Sequence, residues 1–249
     1  MKTQVETPAD IANYYKKNSV ANNYIKKRFT DPINALEHQK QVNVINKIIF
    51  ETNSKKILEF APGPARLTAE LEVENGTSID ISKSMLEIAQ KRMKDLGKKW
   101  HFRQGDIFKL TLKEQYDLVF AFRFFLHFKR QERDKIYSKV RESLRDEGFL
   151  VMEVMNCKVV KLLRKILGRS KYFVYDEIYT KTEFVKEIEL NGFRLLKLYP
   201  VLSNFWLQAI ISRPLKIIGF RNSAFKLVSF FERNRSKNPY EWVALCQKK

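Results

Sequence analysis

Five short apolar runs punctuate the middle of the chain, at Lys56–Phe60, Thr77–Ile81, Trp100–Gln104, Tyr116–Phe122 and Gly148–Val154. Between them, Arg66–Val73, Ser84–Leu96 and Gln131–Leu144 carry apolar residues at three- and four-residue spacing, the period of a helix that buries one face. Strands that alternate with helices imply a mostly parallel sheet with helices on both faces. The pattern continues with a helix over Thr182–Asn191 and strands at Phe193–Tyr199 and Glu241–Cys246, which brings the expected sheet to seven strands. Residues 10–50 read as helical, with Val42, Ile45, Ile48 and Ile49 at helical spacing and a break at Asp31-Pro32.

At 249 residues, 44% of them hydrophobic, the chain can bury a real core and is expected to form one α/β domain over 1–249. Within it, 1–54 would be a helical N-terminal lid, 55–155 a core that holds a nucleotide-like ligand, and 156–249 the substrate side, with a helical insertion at 201–239. Cys157 and Cys246 stand far apart and outside any CxxC or Cys/His cluster, so neither a disulfide framework nor a metal site is supported. The polar start MKTQVETPAD and the lack of an apolar run of membrane-spanning length point to the cytoplasm. An excess of 47 Lys and Arg over 28 Asp and Glu favours an anionic partner, nucleic acid or an acidic membrane surface.

The stretch Ile57-Leu58-Glu59-Phe60-Ala61-Pro62-Gly63-Pro64-Ala65 is an apolar strand with an acid near its end, followed by a turn of small residues. Little side-chain bulk there lets a ligand approach the backbone, and the amides that follow offer a site for a carboxylate. Asp80 ends the next strand 21 residues after Glu59, a spacing that suits a carboxylate accepting from two ribose hydroxyls. That acid alone does not choose between cofactors, because nicotinamide dehydrogenases use the same geometry.

The order of these elements resembles class I S-adenosylmethionine methyltransferases. Glu59 through Ala65 is similar to the family's first motif, with Gly63 in the central position and Ala61 and Ala65 where its fullest form has glycine. Phe102-Arg103-Gln104-Gly105-Asp106-Ile107 is similar to the adenine-binding motif, Tyr116–Phe122 looks like the fourth strand, and Leu144–Leu150 looks like the turn into the fifth. The likeness covers roughly residues 55–155. It implies a Rossmann-like fold, S-adenosyl-L-methionine as cofactor, and Glu59, Ala61, Gly63, Ala65, Asp80, Ile81, Met85, Gly105, Asp106, Ile107 and Phe122 around it.

The acceptor side is less determined. After the fourth strand, Arg123-Phe124-Phe125-Leu126-His127 offers His127 as a general base, or as a histidine that packs at a helix start. Arg123 could hold an acidic substrate or form an ion pair. Exocyclic methylation of DNA bases is disfavoured by the absence of an Asn/Asp-Pro-Pro-aromatic motif here, and Asn156-Cys157 is a poor match to a nucleophilic cysteine.

The leading expectation is therefore methyl transfer to a small-molecule or lipid-linked acceptor, with 201–239 forming part of the binding wall. The alternative is an RNA-directed methyltransferase or a cofactor-binding RNA module, with Tyr172, Phe173 and Tyr175 stacking bases. Residues 158–171 and 201–239 mix cations with aliphatics and aromatics such as Trp206 and Phe230, which suits an anionic membrane surface better than RNA. Helices that only cover the core and solvate their outer faces are the plainer alternative.

Overall fold

The computed structural model describes residues 5, 7–17, 19–21, 24, 31–112, 115–168, 174–217, 220–233 and 238–249. Its strands are β1 (Ile57–Phe60), β2 (Asn75–Asp80), β3 (Lys99–Gln104), β4 (Tyr116–Ala121), β5 (Leu144–Met155), β6 (Phe193–Val201) and β7 (Glu241–Lys248). They form one sheet in the order β3-β2-β1-β4-β5-β7-β6, with β7 antiparallel to both neighbours and the other pairings parallel. Among the described residues the helices are α1 (Pro8–Tyr15), α2 (Pro32–Glu51), α3 (Lys83–Asp95), α4 (Arg130–Ser143), α5 (Cys157–Leu167), α6 (Lys181–Leu190), α7 (Phe205–Ile217) and α8 (Arg221–Phe231).

The central strands β1 and β4 are buried almost throughout because the sheet is covered on both faces there, whereas the edge strand β3 is largely exposed. Successive residues of β4 serve opposite sides. Leu118 and Phe120 join Leu36, Ile45 and Ile48 of α2, whereas Val119 and Ala121 join Ile136, Tyr137 and Val140 of α4 and Phe184 and Ile188 of α6. Local signals set the helix starts. Pro32 opens α2 while Asp31 accepts from the Ile33 amide, Ser82 caps α3, and Thr180 with Glu183 makes a capping box on α6.

One expected helix does not form. Over Arg66–Val73 the chain makes only a single 3₁₀ turn, Thr68–Glu70. Side chains bond carbonyls of this stretch from outside: Arg92 donates to Ala65 O at 3.2 Å, beside the Ala69 amide at 3.3 Å, and Lys98 Nζ donates to Ala69 O at 3.1 Å and to Leu71 O. The apolar spacing of Leu67, Ala69 and Leu71 still serves burial, since all three lie in the core.

The insertion between β6 and β7 is a helical hairpin. The start of α7 meets the end of α8: Asn204 Nδ2 donates to Phe231 O at 2.7 Å and Gln208 Nε2 to Val228 O at 3.1 Å. Both helices pack on α2. Arg169, Lys171, Tyr172, Phe173, Ile218, Arg235 and Lys237, singled out from the sequence, lie outside the described residues, as do the side chains of Arg213, Lys216 and Ile217. None of the described helices is long and apolar enough to cross a membrane.

Candidate active site

The strand order reverses between β1 and β4, so the loops leaving their C-terminal ends diverge and open a crevice. A cavity of about 370 Å³ lies there. Its floor is the turn Glu59–Gly63, its sides carry Asp80, Ile81, Met85, Gly105, Asp106, Ile107, Phe122, Arg123 and His127, and α1 covers it with Pro8, Ile11, Ala12 and Tyr15. Of the expected cofactor-side residues together with Arg123 and His127, only Ala65 stands outside. It is fully buried, with its carbonyl bonded to Arg92, and so belongs to the scaffold of the turn.

The turn takes its shape from alternate left-handed residues: Ala61, Gly63 and Ala65 all have φ of 55°. A Cβ added to Gly63 would meet nothing within 4 Å, so a side chain there would fill open cavity space. Ala61 and Ala65 adopt the same φ with a Cβ, at a cost of roughly 1–2 kcal/mol each.

Asp80 faces the cavity from the end of β2. Its Oδ2 accepts the Gly63 amide at 3.0 Å and its Oδ1 the Ser82 amide at 2.8 Å. A carboxylate has about four acceptor positions, so about two stay free for hydroxyls from the cavity side. Burial pushes the Asp80 carboxyl up to about 6, against the lowering effect of those amides. Glu59 is more extreme. It accepts from the Thr68 hydroxyl and, at 3.2 Å, from the Ser78 hydroxyl, yet burial pushes its carboxyl up to about 7. The floor of the cavity thus holds two acids that water does not solvate.

Beyond β3, Asp106 Oδ1 accepts the Phe108 amide at 3.0 Å, which turns the chain so that Ile107 and Phe108 both line the cavity. Phe108 meets Phe128 edge-on at 5.6 Å and Phe124 meets Phe128 at 5.1 Å, giving an apolar slot suited to a flat heteroaromatic ring.

After β4 the backbone of Arg123 is also left-handed, with φ of 54°. Its amide donates to Glu153 Oε1 at 2.7 Å, and its guanidinium lies 3.9 Å from Glu153 and 4.0 Å from Asp176. Burial works against its charge, but these two acids outweigh that and keep it protonated. Arg123 is thus tied into ion pairs at the edge of the cavity.

His127 is buried, and its Nδ1 lies 2.8 Å from Asp176 Oδ1 and 2.9 Å from Tyr175 O. In the neutral ring, two acceptors around Nδ1 favour the tautomer with the proton there, which makes Nε2 the acceptor. Nε2 lies 3.2 Å from the Tyr15 hydroxyl of α1. Burial raises the Asp176 carboxyl, but the His127 hydrogen bond and the charges of Arg123 and Arg164 prevail and hold it below the usual range. Asp176 and Tyr15 carry no motif of their own, so the sequence did not single them out.

The expected wall from 201–239 is not present here, because none of its described residues lines the cavity. The hairpin sits on α2 instead.

The comparisons agree with this geometry. Residues 57–148 match the methyltransferase domain family. The fold is similar to that of the magnesium protoporphyrin IX methyltransferase of Synechocystis with bound SAH: 14% identity, a TM-score of 0.69, and 98% of this chain and 100% of that one covered. It is also similar to an S-adenosylmethionine-dependent methyltransferase of Thermotoga maritima, at 14% identity and a TM-score of 0.66, covering 93% and 98% of the two chains. A third, from Clostridium acetobutylicum, has 14% identity and a TM-score of 0.60 over 85% and 92%. No curated protein sequence matches the chain. The architecture is that of the class I methyltransferases. Residues 57–148 thus match a methyltransferase domain, and the chain shares its fold with proteins whose structures hold S-adenosylmethionine or SAH.

The residues present fit that group. Asp80 keeps acceptor positions for a ribose, the Phe108 slot takes an adenine, and the open space over Gly63 admits an amino-acid end.

Proposed function

We propose that the protein methylates an oxygen nucleophile on a small-molecule or lipid-linked acceptor, with His127 as the general base. The observation that carries this reading is the line Asp176, His127, Tyr15, which ends in the cofactor cavity. In the neutral ring, Asp176 and Tyr175 O hold the proton on Nδ1 and aim Nε2 at α1. When bound, S-adenosylmethionine supplies a methyl group on a cationic sulfur, ready for in-line displacement.

An acceptor hydroxyl must lose its proton as it attacks, and His127 Nε2 takes that proton while Asp176 stabilises the imidazolium. Tyr15 either holds the acceptor oxygen or passes the proton on to His127. If the acceptor is a carboxylate, no proton moves, and the same two groups orient its oxygen. Phe122, Phe124 and the α1 side chains exclude water, which desolvates the nucleophile. Asp80 places negative charge beneath a cationic cofactor and so favours it over a neutral one.

The test is methyl transfer from labelled S-adenosylmethionine to a panel of phenols, alcohols and carboxylic acids. His127→Gln should lower kcat on the best hydroxyl acceptor by about 10²–10⁴ with cofactor affinity unchanged. Full turnover in that variant, or transfer to amines alone, would overturn the proposal.

A further inference from the structure

We infer that the hairpin α7–α8 is a docking element for an anionic lipid surface. On α7 the exposed positions Leu207, Ile210 and Pro214 recur at three- and four-residue spacing, and Ile210 is 68% exposed. That outward stripe is apolar, and Phe205 through Ser212 contains no charge. On α8 the exposed side presents Leu227 and the 58% exposed Phe230 between Lys226 and Arg233, with the Arg233 guanidinium 5.8 Å from the Phe230 ring. Phe220, also exposed, stands at the start of α8 beside Arg221. The buried sides of both helices are already used, against α2 and each other. The exposed apolar stripes therefore do not serve the fold.

The charge pattern selects the occupant. Between Leu202 and Asn238 the sequence has one acid, Glu232, and it is buried, accepting from the Ser203 amide at 2.8 Å and from Gln208 Nε2 at 2.9 Å. The described hairpin thus exposes cations and no carboxylate. Arg221 even stands in the first turn of α8, where the helix dipole disfavours a cation. A second copy of this chain would set these cations against themselves. RNA would be served by the charge but not by Leu207, Ile210 and Phe230. An anionic leaflet uses both, because apolar side chains enter the acyl boundary while Lys and Arg stay at the headgroups. This surface is separate from the cavity, so it stands apart from the acceptor proposed above.

Sedimentation with vesicles tests it, using phosphatidylcholine alone and phosphatidylcholine with about one-third phosphatidylglycerol. The protein should bind the anionic vesicles and not the neutral ones. Ile210→Ser combined with Phe230→Ser should lower that binding about tenfold or more, and Lys226→Glu combined with Arg233→Glu should do likewise. All four positions are exposed, so both double variants should keep the wild-type melting temperature and SAH affinity, which separates this test from that of the active site. No binding to anionic vesicles, or binding that the serine variant leaves intact, overturns the inference. Self-association or RNA binding that the serine variant abolishes also overturns it.

Discussion

Replacing Glu59 with Gln should make the protein more stable at alkaline pH and change little in acid. Burial raises the Glu59 carboxyl from 4.5 to about 7. For an acid whose folded pKa is raised, the neutral form suits the fold. Stability is full below the unfolded value of 4.5 and is lost as pH climbs from there through about 7. At about 1.4 kcal/mol per unit, that shift costs the ionised wild type about 3 kcal/mol above pH 8. Gln cannot ionise, and its carbonyl oxygen can still accept from Thr68 and Ser78 in place of the carboxylate. Urea denaturation followed by fluorescence at pH 5 and pH 8.5 measures the difference. With a denaturant slope of roughly 2–3 kcal/mol/M, the variant's midpoint should exceed wild type by about 1 M at the higher pH and by little at the lower. Other titrating groups are common to both proteins and largely cancel in the comparison. A midpoint difference that is the same at both pH values would refute the argument that Glu59 is held against ionisation by burial.

Asp80→Ala should weaken cofactor binding by about 1–3 kcal/mol in a protein that still folds, since the ribose hydroxyls lose a charged acceptor; calorimetry would show it. Because the Asp80 carboxyl is pushed up to about 6, wild-type affinity for SAH should fall as pH drops through about 6, and affinity flat from pH 5 to 8 would remove Asp80 from the site. Ala61→Gly relieves a left-handed alanine and should raise thermal stability by about 1 kcal/mol, whereas Gly63→Ala should abolish measurable cofactor binding. Tyr15→Phe should lower kcat on hydroxyl acceptors while leaving SAH affinity unchanged, and equal loss of both would mean that Tyr15 serves α1 closure alone.

The sequence carries the sheet because the central strands β1 and β4 are runs buried almost throughout, as burial on both faces demands, while the edge strand β3 keeps only Trp100 buried. The positions of Asp80 and Gly105-Asp106 at strand ends were likewise legible, and both stand at the cavity. Over Arg66–Val73 the same reasoning failed. Leu67 and Leu71 stand four apart, as in a helix, but Ala69 between them is buried too, a period of two that no helix face has, and Arg92 and Lys98 bond carbonyls here from outside. Asp176 and Tyr15 were illegible for another reason. They meet His127 across 49 and 112 residues of chain, and no local pattern encodes such a meeting. Ala65 shows the converse, a motif position that is fully buried in the bend of the chain and does not line the cavity.

The hairpin α7–α8 departs from the sheet and rejoins it at a single point. Val201 and Glu241 are cross-strand partners, and the Tyr240 amide donates to Leu202 O at 3.1 Å, so the excursion begins and ends on hydrogen-bonded neighbours. An excursion closed at its base can be lengthened, shortened or exchanged at small entropic cost without altering strand register. The docking surface inferred for the hairpin and the cavity thereby lie in separable stretches of chain. A lineage, or an engineer, could readdress the molecule by grafting a different hairpin between Leu202 and Tyr240, provided the graft still covers the apolar side of α2.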